Sequence, residues 1–268
     1  MRPILSLIIK HASDHLDLLP AIMPEIKKAI EQGNSEELIA ELIPMLGVTR
    51  DIIPYLVSFG ARSVAPLIKV LHSTDPAVRQ RAARALSLIE DSRKIEPLLE
   101  LLDDKEPRVR ANALRSLRSI GSAELVPIFR TFVADEHSEV RCQAIKGLAE
   151  WGDMSSAPDF LRLVDDEAPE VQAAALKGLR LIGSVELVPT FRRFVADKHE
   201  WVRCQAIIGL AEWGDVSFAS DLLKLAEDKA PNIRAAALKG LRLIGSTELV
   251  PIFRKGLDNF REDFLSVE

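Results

Sequence analysis

The chain has 268 residues, 47% of them hydrophobic and 28% charged, with a formal net charge of −5. That length suits one large domain or two ordinary ones, and the acidic balance excludes whole-molecule attraction to nucleic acid or to an anionic membrane. Two cysteines do not make a secreted disulfide framework, and no apolar run approaches the roughly 18 residues of a bilayer span.

In chain order, the opening MRPILSLIIKH is a short apolar run that stops at Lys10 and His11. It is not succeeded by a small-residue cleavage site, so no signal peptide is expected and the protein is expected in the cytoplasm. Residues 3–32 read as one or two helices. SEELIAELIPML and TRDIIPYLVSFG then form a degenerate helix pair that ends at Gly60. Residues 1–60 are therefore expected to form a cap on the segments beyond Gly60.

From there the chain repeats. An aliphatic residue before Arg or Gln recurs every 31 positions, at Val78, Val109, Val140, Val171, Val202 and Ile233. Leucine stands eight positions later, at Leu86, Leu117, Leu148, Leu179, Leu210 and Leu241. Ile89, Ile120, Trp151, Ile182, Trp213 and Ile244 stand at the eleventh position, and the two tryptophans are expected in the core. Glycine closes all but the first of these segments, at Gly121, Gly152, Gly183, Gly214 and Gly245. Apolar positions 0, 4, 8 and 11 share one arc of an α-helix, and glycine is a C-terminal stop.

Each such helix comes after another apolar segment, such as Glu124–Asp135, which predicts a helix of about 12 residues. Ser122 stands at its N-cap position and Pro127 near its first turn. The unit is a helix–turn–helix that cannot bury its apolar face alone, so the predicted fold is all-α, an α-solenoid of stacked units. Residues 61–256 hold six units, the last first-type helix lies after residue 246, and 257–268 form a tail. Segments 123–184 and 185–246 match at 44 of 62 positions, the mark of a duplicated two-unit block.

The pattern D…VRxxAxxaLxxxG resembles HEAT repeats in the short form of bacterial phycobilisome-lyase HEAT-like proteins, over roughly residues 60–256. The resemblance implies an internal ladder of Asp and Arg: Asp104 and Arg110, Asp135 and Arg141, Asp197 and Arg203, Asp228 and Arg234. An Asp near a helix N-terminus can take a charged hydrogen bond from an Arg of its own or the next unit. Asp166 faces Gln172 instead, which breaks the ladder. Gly147, Gly178, Gly209 and Gly240 fall mid-helix, where glycine costs about 1 kcal/mol, so close approach of a neighbouring helix is expected.

Chemistry is sparse. Deoxyhypusine hydroxylase, a HEAT-like enzyme, holds iron with His-Glu pairs on its second helices; here those positions carry Gln80–Arg81, Ala111–Asn112, Cys142–Gln143 and Ala235–Ala236. His199–Glu200 lies in a turn. Cys142 and Cys204 are read as small packing residues. No catalytic constellation, metal site or cofactor is expected. What stands out is a row of cations on the second helices, the face expected to line the concave side: Arg84, Arg115, Lys146, Lys177 and Lys239, with Arg118, Arg180 and Arg242 three positions on. The same row reads equally as a solvated helix face. Trp201 reads either as an exposed anchor or as a ring lying on its own turn. The expected function is a non-enzymatic scaffold gripping an acidic protein segment. The alternatives are a bilin lyase or isomerase subunit, which the resemblance implies, and a nucleic-acid binder resembling the HEAT-like alkylpurine DNA glycosylases, which the net charge disfavours.

Overall fold

The computed structural model describes residues 35–151, 154–213 and 218–244, with the single positions Pro24, Lys28 and Glu31. The helices expected within 3–32, the first-type helix after residue 246, the tail 257–268, and Gly152, Gly214 and Gly245 lie outside the described stretches. Every element among the described residues is helical. The chain divides into two compact units, residues 1–147 and 148–268.

In the first unit the helices are α1 (Ser35–Leu42), α2 (Ile53–Ser58), α3 (Val64–Val70), α4 (Pro76–Ser87), α5 (Ile95–Glu100), α6 (Pro107–Arg118), α7 (Val126–Thr131) and α8 (Ser138–Trp151), the last running across the division. The second holds α9 (Ala157–Leu163), α10 (Pro169–Ile182), α11 (Val188–Phe194), α12 (Glu200–Glu212), α13 (Ala219–Leu225) and α14 (Pro231–Ile244). Odd and even helices are the first and second members of the repeats. Proline at the first turn of α4, α6 and α10 costs nothing, since that N–H has no intrahelical partner. The expected 12-residue first helix is instead a short α-helix flanked by 3₁₀ turns, Ala123–Leu125 before α7 and Phe132–Ala134 after it. Ser122 caps the run, accepting from the Glu124 N–H, and Pro127 stands in the first α-turn. At the other end of the repeat, Gly121 and Gly183 take positive φ values of 77° and 71° as the chain leaves α6 and α10.

Within the first unit α2, α4 and α6 pack in succession, and within the second α10, α12 and α14 do the same. Their anchors make the core. Val109, Val140, Val171, Val202 and Ile233 are fully buried, as are Leu86, Leu117, Leu179, Leu210 and Leu241. Helices α4, α6, α10, α12 and α14 also pack on the odd helix of their own repeat. The mid-helix glycines admit the close neighbouring helix expected of them: at Gly147, Gly178 and Gly209 it is the odd helix of the same repeat, whereas a Cβ on Gly240 would stand 2.9 Å from the Ala211 Cβ of α12 in the preceding repeat as well as 3.1 Å from Leu222. A Cβ on Gly178 would stand 2.7 Å from the Phe160 ring, and one on Gly147 or Gly209 would collide with Phe129 or Phe191. The pairing is legible as a column 18 residues apart. Phenylalanine faces glycine three times, whereas Leu67 faces Ala85 and Leu98 faces Ser116. A ring on the first helix demands glycine on the second; leucine tolerates alanine or serine there, except at Gly240, which faces Leu222 but where Ala211 of the preceding repeat also closes in.

Two expectations are corrected. Trp151 is 37% exposed rather than a core residue. Trp213 is half-buried, its ring edge-on to Phe191 with centroids 4.5 Å apart. Ile120, Ile182 and Ile244 at the same register are also only half-buried, so this helix-end position lies at the edge of the core and a larger indole leaves more of itself in solvent.

Candidate functional site

The turns carry the charged ladder, and its connectivity differs from a pairing six residues apart. In the first unit Arg79 Nε and Nη2 donate to both Asp104 oxygens at 2.6 and 2.8 Å. Arg110 repeats the contact on Asp135 at 3.0 Å twice. Each arginine therefore reaches the carboxylate 25 residues on, in the next repeat. Its Nη1 turns back onto its own turn, where Arg79 meets the Ser73 carbonyl and Arg110 the Asp104 carbonyl. Each carboxylate also accepts a backbone N–H two residues on, from Glu106 and His137. Burial opposes ionisation of Asp104 and Asp135, but the arginine and backbone donors outweigh it and hold both carboxyls below the ordinary range. The six-residue spacing could not reveal Arg79 as a member of this ladder, because its own turn carries Ser73 where the others carry Asp.

In the second unit the same turn geometry persists with fewer ions. Arg203 donates to the Asp197 carbonyl at 2.7 Å and Arg234 to the Asp228 carbonyl at 3.0 Å. Gln172 stands 25 residues before Asp197, so the missing arginine is felt at Asp197 and not at Asp166. There His199 Nδ1 lies 3.2 Å from the carboxylate. Trp201 stacks on that imidazole at 6.0 Å and remains 54% exposed. Cys142 and Cys204 form no disulfide; burial raises the Cys204 thiol pKa, which makes it a poor nucleophile.

The cation row occupies solvent-facing positions of the even helices. In the first unit Arg84 and Arg115 are exposed, and Arg118 and Lys146 are half-buried. Arg84 lines a cleft of about 470 Å³ with Arg50, Asp51, Ile53, Pro54, Tyr55 and Leu88. In the second unit Lys177, Lys239 and Arg242 are exposed. Here the row is not of one sign. Arg180 Nη1 holds both oxygens of Glu212 at 2.7 and 2.6 Å, and Lys239 lies 3.8 Å from the same carboxylate. Glu212 thus ties α10, α12 and α14 together at their C-terminal ends and takes part of the row's charge. At the opposite ends Asn232 donates to Glu200 at 2.7 Å.

A second feature of this face escaped the sequence reading. Leu88, Leu181 and Leu243 are 58%, 53% and 43% exposed. Each stands four residues after an exposed cation, Arg84, Lys177 and Lys239, so cation and leucine share one helix face a turn apart. The signal was a column in which Leu88, Leu181 and Leu243 align with Ser119, Glu150 and Glu212, an alternation no core position would tolerate.

The HEAT-repeat family model matches residues 64–139, 129–202 and 189–265. Among solved structures, the chain is similar to Escherichia coli YibA at 21% identity and a TM-score of 0.64, covering 77% of this chain and 79% of that one. It is similar to the complex of CpcE and CpcF of phycocyanin lyase from Nostoc sp. PCC7120 at 23% identity and a TM-score of 0.55, covering 70% and 79%. An engineered protein matches at 21% identity and a TM-score of 0.52, covering 83% and 67%. These likenesses speak to the fold. Curated proteins give no match. No described helix is long and apolar enough to cross a membrane. The repeat model spans most of the chain, and the turn arginines and packed even helices recur in both units: the chain belongs to the HEAT-repeat family.

Proposed function

We propose that the protein is a non-enzymatic interaction scaffold that binds an acidic segment of a partner protein on the exposed face of its even helices. One observation carries the reading. Arg84, Arg115 and Lys146 in the first unit and Lys177 in the second occupy one register, and they and Arg242, three positions on in its helix, form no ion pair among the described residues. In an acidic protein, cations left unneutralised at repeated positions focus potential toward opposite charge. The exposed leucines beside them add apolar contact, so the segment should carry both acidic and apolar side chains. One of the structures that resembles this fold is itself a two-protein complex, which accords with a protein partner.

Capture from native lysate, read by mass spectrometry, tests this with the triple variant Arg115→Glu, Lys177→Glu and Arg242→Glu. The wild type should hold a salt-sensitive partner that the variant loses while its melting curve stays in place, because solvated helix positions tolerate substitution. Binding that survives the reversal, or that ignores salt, makes the row a solvated face. A gel shift lost in the same variant would favour nucleic acid, and a visible absorbance shift on adding a linear tetrapyrrole would favour the bilin-lyase alternative.

A further inference from the structure

The cleft around Tyr55 and Leu88 joins two unneutralised guanidiniums to an apolar wall. Arg50 and Arg84 form no ion pair among the described residues, and both line the cleft. Its remaining walls are Ile53, Pro54, the half-buried Tyr55 and Leu88, whose side chain is largely exposed. Asp51 is the one acid in the lining. Its Oδ2 accepts from Thr49 Oγ1 at 3.0 Å, and its backbone N–H donates back to that hydroxyl at 3.1 Å, so the carboxylate is engaged within its own turn. The lining therefore carries an excess of one positive charge. A volume of about 470 Å³ accommodates one large side chain and its neighbour. Planar guanidiniums prefer carboxylates, which they can bind through two parallel N–H donors.

We infer that this cleft is the anchoring site for the acidic segment, taking a phenylalanine or leucine side chain against Tyr55 and Leu88 while the adjoining Asp or Glu carboxylate engages Arg50 and Arg84. The assignment rests on the reading of the cation face and adds to it the residue chemistry recognised at one point. Charge complementarity selects this occupant: an apolar side chain alone would leave two arginines unused, and a carboxylate alone would leave the leucine in water.

Tyr55 is the only tyrosine in the chain, so incorporation of 3-fluorotyrosine places a single ¹⁹F resonance in the cleft. The probe is the capped dipeptide acetyl-Glu-Phe-amide, and the control is acetyl-Gln-Phe-amide, which has the same shape without the charge. The Glu peptide should shift the resonance saturably with a Kd on the order of a millimolar, as suits so small a ligand. The Gln peptide should bind at least about 10-fold more weakly, as should the Glu peptide to the variant Arg50→Gln, Arg84→Gln. Lys69→Gln, an exposed position of α3 outside both the cleft and the cation row, should leave the titration unchanged. Equal response to the two peptides, or no response because a segment of the chain itself fills the cleft, overturns the assignment. So does a resonance that moves when the protein alone is diluted, which would place a second copy there. If peptide binding holds and the lysate capture fails, the cleft stands and the reading of the row falls; the reverse result removes only the cleft.

Discussion

The two units build the same turn and secure it differently. In the first, Arg79 and Arg110 each bridge to a buried carboxylate of the next repeat, and the side chains of Arg79 and Asp104 are both only 8% exposed. In the second, Gln172 removes that bridge from Asp197. Among the described contacts there, the strong ion pair joining second helices is Arg180 with Glu212, at the far end of those helices. Side chains of Arg180 and Glu212 are 14% and 27% exposed. The difference teaches where charge is expensive to disturb. A buried pair adds little net stability, because both charges are desolvated, yet costs much to break, because the survivor is left desolvated and alone, whereas a partly solvated pair can be traded for water.

The largest effect should therefore come from Arg110→Ala, which strands Asp135 and should cost about 3 kcal/mol in chemical denaturation. Arg203→Ala, its second-unit counterpart, loses carbonyl bonds on a half-buried side chain and should cost about 1 kcal/mol. Equal losses would show that the turn arginines act alike and that the contrast between units has no energetic content.

Next comes Gly178→Ala, where the added methyl meets the Phe160 ring at 2.7 Å and should cost about 1–3 kcal/mol. Combining it with Phe160→Leu should recover part of that loss, since the leucine-facing positions of the first unit accept Ala85 and Ser116. A pair of losses that simply add would mean the 18-residue column is not a size match.

Acid should separate the ladders as well. The folded pKa values of Asp104 and Asp135 lie below the ordinary value, so the stability they contribute is complete above about pH 4 and is lost as pH falls through their lowered values. A pH series of denaturation midpoints should be flatter below pH 4 in Arg79→Ala, Arg110→Ala than in the wild type. Parallel curves would remove these carboxylates from the acid response.

The smallest effect sharpens the comparison by repair. Gln172→Arg should extend the bridge to Asp197, as Arg79 and Arg110 do over the same 25-residue interval, and should raise stability by about 1 kcal/mol. An unchanged or lowered midpoint would mean that His199 and Trp201 already fill the space.

The period of 31, the helix pairs, the anchors at Val109 or Leu117 and the stops at Gly121 and Gly183 were all readable in the sequence. Burial periodicity and backbone freedom are local properties that leave a direct trace in residue type. The cation positions were readable for the same reason, since the 31-residue period and three-residue spacing place them on one face of successive helices. What packing decided was everything involving two repeats at once. Asp104 and Arg110 stand near each other in sequence, yet the carboxylate is held by Arg79, because a guanidinium reaches both its own turn and the next one. Glu212 carries no mark in the sequence of the partners that α10 and α14 bring to it, Arg180 and Lys239. The tryptophans at 151 and 213 shared a column with isoleucine, and only the packing showed that this helix-end column lies at the edge of the core. The cleft of Arg50, Tyr55, Arg84 and Leu88 joins residues more than 30 positions apart, which no single helix face can announce.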